Sequence, residues 1–150
     1  MEYKKNISII IPAKNESVNL AKLLPQLRAI YPQEEIIVVN DGSTDSTAVD
    51  SAPHASKVIS HPYSMGNGAA IKTGARAAEG EILIFMDADG QHQPKDINAL
   101  IDKLESGYDM VVGARDAKSQ ASLARLAANT LYNRLASWMT GHKIQDLTSG

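Results

Sequence analysis

Apolar residues in this chain come in two rhythms. Short continuous runs occur at Ile7–Ile11, Glu35–Val39 (EIIVV), Lys57–Ser60 (KVIS) and Glu81–Met86 (EILIFM). Between them, apolar residues recur every three or four positions. The runs predict strands, the early ones apolar on both faces and Lys57–Ser60 the weakest, and the spaced segments predict amphipathic helices. Leu20, Leu23, Leu24, Leu27 and Ile30 form one helical stripe, which Asn19 is placed to cap and Pro32 stops. Asn40-Asp41-Gly42-Ser43-Thr44-Asp45 reads as a turn leading into a short helix. The alanine-rich stretch Gly66–Glu79 predicts a third helix. Ile97, Leu100, Ile101 and Leu104 predict a fourth, with Pro94 at its first position and Gly107 at its end. Met110–Val112 predicts a short fifth strand running into Gly113-Ala114-Arg115. A long helix is expected from about Ser122 to Thr140, with Leu123, Leu126, Leu131, Leu135, Trp138 and Met139 on one stripe. Alternating strands and helices of this kind predict an α/β fold, Rossmann-like, with a mostly parallel sheet and helices on both faces.

Composition narrows the class without changing this picture. The 150 residues suit one compact domain, and 43% hydrophobic with 21% charged residues is ordinary for a soluble globular protein. The net charge of -2 offers no basic face, so nucleic acid is not an expected partner. There is no cysteine, which excludes disulfides and thiolate metal sites and fits a reducing, cytoplasmic compartment. The N-terminal MEYKKNISIIIPAKNE lacks a signal-peptide core, and no apolar run approaches a bilayer span.

Polar residues gather where such sheets bind ligands, beyond the carboxyl ends of the strands. Those ends read Pro12-Ala13-Lys14-Asn15-Glu16, Asn40-Asp41-Gly42 and Asp87-Ala88-Asp89, with Arg115 after the fifth expected strand. Gly66-Asn67-Gly68 begins like a dinucleotide fingerprint, and Gly66 to Thr73 nearly spells a phosphate loop. Ile71 stands where both require glycine, which argues against both. A helix entry whose Gly68 backbone or Lys72 approaches a ligand phosphate is the functional reading that survives.

The segment FMDADGQHQP carries the sharpest chemistry. If it is extended, Asp87 and Asp89 project to the same side. Two carboxylates about 4 Å apart repel by several kcal/mol at a partly buried site, so a shared proton, an arginine or a divalent cation must offset them. All-oxygen ligation of this kind suits Mg²⁺ or Mn²⁺, with Gln91 as a further neutral oxygen and His92 as a turn residue. The bland alternative is a strand-to-helix loop in which Asp89 only caps.

SIIIPAKNE, VVNDGSTDST, GNGAAIKTGARAAEGEILIFMDADGQHQP, VVGAR and IQDLTSG occur in that order. Together they resemble the family 2 glycosyltransferases of GT-A fold, in particular the branch containing dolichyl-phosphate mannose synthases and polyprenyl-phosphate glycosyltransferases. The likeness implies an inverting, metal-dependent transfer of a sugar from GDP-mannose or a UDP-sugar to a polyprenyl or dolichyl phosphate, at the cytoplasmic face of a membrane. It places Pro12, Ala13, Asn15 and Glu16 along the nucleotide pocket and Asp41 on the base. Asp87 and Ala88 would lie at the ribose, and Asp87, Asp89 and Gln91 at the metal. Gly68 and Lys72 would stand near phosphate. Arg115 and Arg125 would face donor or acceptor phosphates, and Asp146 would lie near the reacting centre as base. Homo-oligomerisation is left open. Members of the family continue past the QDLTSG motif, so residues 1–150 are expected to be the nucleotide-sugar-binding catalytic domain without its continuation. A catalytically silent nucleotide-binding module is the alternative. A sugar nucleotidylyltransferase is a lesser one, since PAKNES lacks the glycine-rich loop expected there.

Overall fold

The computed structural model describes residues 6–113. The chain divides into two compact units, Met1–Ile97 and Asn98–Gly150. The first unit is built on four parallel strands: β1 (Ile7–Ala13), β2 (Glu35–Asn40), β3 (Lys57–Ser60) and β4 (Ile82–Phe85). Their order in the sheet is β3-β2-β1-β4. β1 aligns Ile10 with Ile37 on one side and with Phe85 on the other.

The continuous apolar runs have the expected physical cause. Ile9, Ile10, Ile11, Ile36, Ile37, Val38 and Val39 are all fully buried, so both faces of the central strands are covered. One face carries Ile10, Ile37 and Val39 against Ala70 of helix α3 (Asn67–Ala77), with Ile59, Ala75 and Ala77 around them. Small residues let α3 come close: a Cβ on Gly74 would stand 2.3 Å from Ile10 Cγ2. Helix α1 (Ser17–Ile30) buries Leu20, Leu23, Leu24 and Leu27 of the stripe read from the sequence, while Ile30, at the helix end, is exposed. The short α2 (Thr47–Ser51) follows β2. Among the described residues, no helix is long and apolar enough to cross a membrane.

Two polar clusters fasten this scaffold away from the strands' carboxyl ends. Lys57 Nζ lies 2.8 Å from Glu35 Oε1 and 2.6 Å from Glu79 Oε1, and donates to the Ala77 carbonyl. Glu35 Oε2 accepts from Ser8 Oγ and the Glu79 amide. Burial opposes ionisation of Glu35, but Lys57, Ser8 and the Glu79 amide outweigh it and hold its carboxyl below the usual range. Arg28 donates to the carbonyls of Tyr31, Pro32, Glu34 and His54, and so binds the end of α1 to the connections before β2 and β3.

The structure departs from the sequence reading at four places. β1 continues through Pro12, which lacks an amide donor. Met86 donates to the Ile10 carbonyl on the β4 side, so Pro12, two residues on, faces the same side beyond β4's last ladder bond. Its missing N–H therefore costs nothing there. α1 begins at Ser17, and Asn19 lies inside it, donating to Glu16 Oε2 at 2.7 Å instead of capping. Helix α4 (Asp96–Glu105) begins two residues after Pro94, whose carbonyl accepts from the Tyr31 hydroxyl at 3.3 Å. Finally, Met110–Val112 is not a strand. Met110 and Val112 are 76% and 50% exposed, and no sheet bond involves them among the described residues. In the second unit, Gly107 adopts the left-handed conformation after α4, where its amide and that of Tyr108 both donate to Leu104.

Gly42 yields a stability prediction. Its φ is +62°, and a Cβ there would stand 2.4 Å from the Ser64 amide nitrogen and 2.5 Å from the Tyr63 carbonyl carbon. Both obstacles are backbone, so Gly42→Ala is expected to destabilise by roughly 2–4 kcal/mol. Thermal unfolding checks this, and an unchanged Tm would contradict it.

Candidate active site

Because the strands are parallel, every loop leaving a carboxyl end lies on one edge of the sheet. The chain leaves β1 toward β2 on one side, while β4 lies on the other. The order therefore reverses between β1 and β4, the position where open α/β sheets bind ligands. The flanking residues are Pro12–Glu16 on one side and Asp87–Gln91 on the other.

The first two loops fold as one object. Asn15 holds a φ of +56° and anchors the neighbouring turn: its side-chain oxygen accepts from the Thr44 amide at 2.8 Å, and its own amide donates to Ser43 Oγ at 2.9 Å. The Glu16 amide donates to Thr47 Oγ1 at 2.9 Å and the Ser17 amide to Asp45 Oδ2 at 3.2 Å. The orphan donors at the start of α1 are thus satisfied from a loop about thirty residues away, not by a local cap. Asp45 Oδ1 also accepts from the amide and hydroxyl of Thr47. These donors hold its carboxyl below the usual range.

Asp41 is the most heavily engaged side chain. It is 4% exposed. Oδ1 accepts from His61 Nδ1 and the Met65 amide, each at 2.7 Å. Oδ2 accepts from Ser64 Oγ at 2.8 Å and the Gly66 amide at 2.9 Å. Burial alone would favour the neutral acid, but His61 and the other three donors prevail and hold the carboxyl far below the usual range. A depressed folded-state pKa means that the stability is present above the unfolded value and lost as pH falls below it. With an unfolded value of 3.8, thermal stability is expected to decline steeply as pH drops below about 4. An Asp41→Asn variant should show a flatter Tm-versus-pH curve there, and parallel curves would exclude this role.

At the end of β4 the chain does not stay extended. It turns at Ala88 and Asp89, with Gly90 at φ +80°, so the expected same-side projection of Asp87 and Asp89 as an extended pair is not the geometry observed. Ala88 is buried, Asp87 is partly buried and Asp89 is exposed. Asp89 Oδ1 accepts from the Gln91 amide at 2.9 Å, which closes the turn. The Asp87 amide donates to His92 Nδ1 at 3.2 Å, so His92 is a turn residue. The Asp87 carboxylate accepts no hydrogen bond and forms no ion pair among the described residues, although it is partly buried.

Among the described residues, no group of three or more His, Cys, Asp or Glu side chains stands together to hold a metal. Two carboxylates and the Gln91 amide oxygen, without thiolates, fit a hard ion that keeps water and substrate phosphates in its shell. Gly68 and Lys72 lie exposed on α3, and Pro12 and Ala13 end β1. Arg115, Arg125 and Asp146 lie outside the described residues. His61 and Ser64 were not singled out from the sequence. The available signal was position: both directly follow β3, on the same edge as Asp41.

The parallel α/β sheet with helices is of GT-A class, and the structural neighbours of the chain are GT-A glycosyltransferases. Glucosyl-3-phosphoglycerate synthase from Mycobacterium tuberculosis, crystallised with Mn²⁺, UDP-glucose and phosphoglyceric acid, superposes with a TM-score of 0.75 at 23% identity, covering 97% of this chain and 55% of that one. The chain belongs to glycosyltransferase family 2: the model "Glycosyl transferase family 2" matches residues 8–148. The undecaprenyl-phosphate 4-deoxy-4-formamido-L-arabinose transferase of Photorhabdus laumondii is 34% identical over 155 residues, covering 97% of this chain and 47% of the relative. An uncharacterised protein of Methanocaldococcus jannaschii is 32% identical, covering 98% of this chain and 63% of that protein. The chain spans about half the length of the transferases it matches.

Proposed function

We propose that residues 1–150 bind a nucleoside-diphosphate sugar and form the catalytic part of a glycosyltransferase whose acceptor is a polyprenyl phosphate at a membrane surface. The observation that carries this reading is the Asp87 carboxylate: partly buried, without a protein donor or cation among the described residues, and placed beside exposed Asp89 at the switch point of the sheet. A carboxylate so placed is matched to a cation that arrives with substrate.

In this reading Asp87 and Asp89 hold Mg²⁺ or Mn²⁺, with Gln91 as a neutral oxygen donor. The bound cation offsets the charge that develops on the departing nucleoside diphosphate. Pro12, Ala13, Asn15 and Glu16 form the wall of the nucleotide pocket on the β1 side, and Asp41 fixes its floor. Gly68 and Lys72 face phosphate from α3. Arg115 and Arg125 dock donor or acceptor phosphate, and a phosphate acceptor, already anionic at neutral pH, makes little demand on Asp146 as base. The polyprenyl-phosphate relatives support this acceptor class, and the neighbour crystallised with Mn²⁺ and UDP-glucose supports this donor class.

The test is transfer. The chain is incubated with UDP- or GDP-sugars, Mn²⁺ and a polyprenyl phosphate, and lipid-linked sugar is measured. Donor binding with no transfer to any lipid phosphate, even by a longer chain carrying further residues, would favour a silent nucleotide-binding module. Release of pyrophosphate from a sugar 1-phosphate and a nucleoside triphosphate would favour a nucleotidylyltransferase.

A further inference from the structure

The His61 ring bridges two elements that the proposed donor pocket depends on. Its backbone amide donates to the Asn40 carbonyl at 2.9 Å, which places the residue directly beside the end of β2. Nδ1 lies 2.7 Å from Asp41 Oδ1, and Nε2 lies 2.9 Å from Thr73 Oγ1 on α3. The side chain is 8% exposed. A carboxylate can only accept, so Nδ1 carries the proton, and in the neutral ring Nε2 accepts from the Thr73 hydroxyl. Asp41, His61 and Thr73 thus form a continuous chain from the second strand to the middle of the third helix.

Asp41 transmits this restraint onward. Its two oxygens also take the Met65 and Gly66 amides and the Ser64 hydroxyl, which fixes the turn that enters α3. Ala69 and Ala70 then donate to the Gly66 carbonyl as the helix begins. The carboxylate has no room for sloppy placement, because each oxygen already receives two donors and Gly42 leaves the neighbouring backbone no spare space. Removing His61 would take one of four donors from Asp41 and cut the hydrogen-bonded link from the end of β2 to Thr73 on α3.

We infer that His61 is a positioning residue for donor binding: through Asp41 and Thr73 it sets the floor of the nucleotide pocket and the entry of α3. The inference rests on the proposed donor-binding function.

The test compares wild type with His61→Ala, His61→Asn and Thr73→Val, using calorimetric titration with UDP- and GDP-sugars plus Mn²⁺. Amide hydrogen exchange at Met65 and Gly66 is read in the same samples. His61→Ala is expected to weaken donor binding by roughly 10- to 100-fold and to speed exchange at both amides, while circular dichroism still shows a folded chain. Asn places an amide donor near the Nδ1 position, so His61→Asn should recover most of the affinity. Thr73→Val, which cuts only the far link, should weaken binding about threefold to tenfold. A folded His61→Ala chain that binds donor as wild type does would overturn the inference and leave the proposed function standing. If His61→Ala does not fold, the Thr73→Val result decides, and unchanged affinity there overturns the inference. Wild type that binds no nucleotide sugar would overturn the proposed function and the inference with it.

Discussion

Asp87→Asn is expected to weaken Mn²⁺-dependent donor binding by about 100-fold or more, with Tm unchanged or slightly raised. The substitution keeps the shape of the side chain and removes its charge. Two carboxylates clamp a divalent ion far better than one, and losing one such electrostatic contact costs on the order of 3–4 kcal/mol at a water-poor site. Among the described residues nothing draws on the charge: the carboxylate accepts no hydrogen bond and pairs with no cation there. A group that serves only a ligand should leave the empty protein no less stable when it is neutralised. Titration with a UDP- or GDP-sugar at several Mn²⁺ concentrations, beside a thermal melt, measures both halves. Equal affinity, or a large fall in Tm, would show that Asp87 is a structural turn residue.

Asp41→Ala should give the opposite pattern, a loss of stability of about 3–5 kcal/mol before any effect on ligand is considered. Four donors converge on this buried carboxylate, and the substitution strands all of them. Deleting the acceptor of a buried network costs more than the network's net worth, because the desolvated donors remain. Ser64 and Gly66 are exposed, so water can replace part of what is lost, which places the effect toward the lower end of the range. At this chain length the change corresponds to a fall in Tm of roughly 6–20 °C. A melt within a degree or two of wild type would mean that the turn after β3 holds itself.

These two carboxylates also show how far the sequence could be read. The apolar runs located all four strands of the sheet, although burial on both faces accounts only for the isoleucine- and valine-rich runs of β1 and β2; β4 leaves Leu83 and Phe85 exposed on one face. The three loops at the carboxyl edge followed from strand order and polarity. What the sequence did not show was partnership at a distance. Asn19 looked like a cap, but the first amides of α1 and of the residues before it are satisfied by Ser43, Asp45 and Thr47, which no local pattern reveals. For Asp41, the sequence did not reveal the four protein donors it receives from residues 61 to 66. Asp87 and Asp89 were read as a same-side pair in extended chain, and the turn at Ala88–Asp89 replaces that geometry. Met110–Val112 has strand-like composition, but composition alone cannot supply a neighbouring strand.

The mutual clasp between residues 15–17 and 43–47 has a practical outcome for recombination between relatives. Chimeras joined within α1 or β2 would inherit one half of the clasp from each parent, and mismatched halves would strand backbone amides at the helix start. Junctions placed before Ala13 or after Ser51 would keep both halves from a single parent, so viable hybrids should cluster at those crossover points.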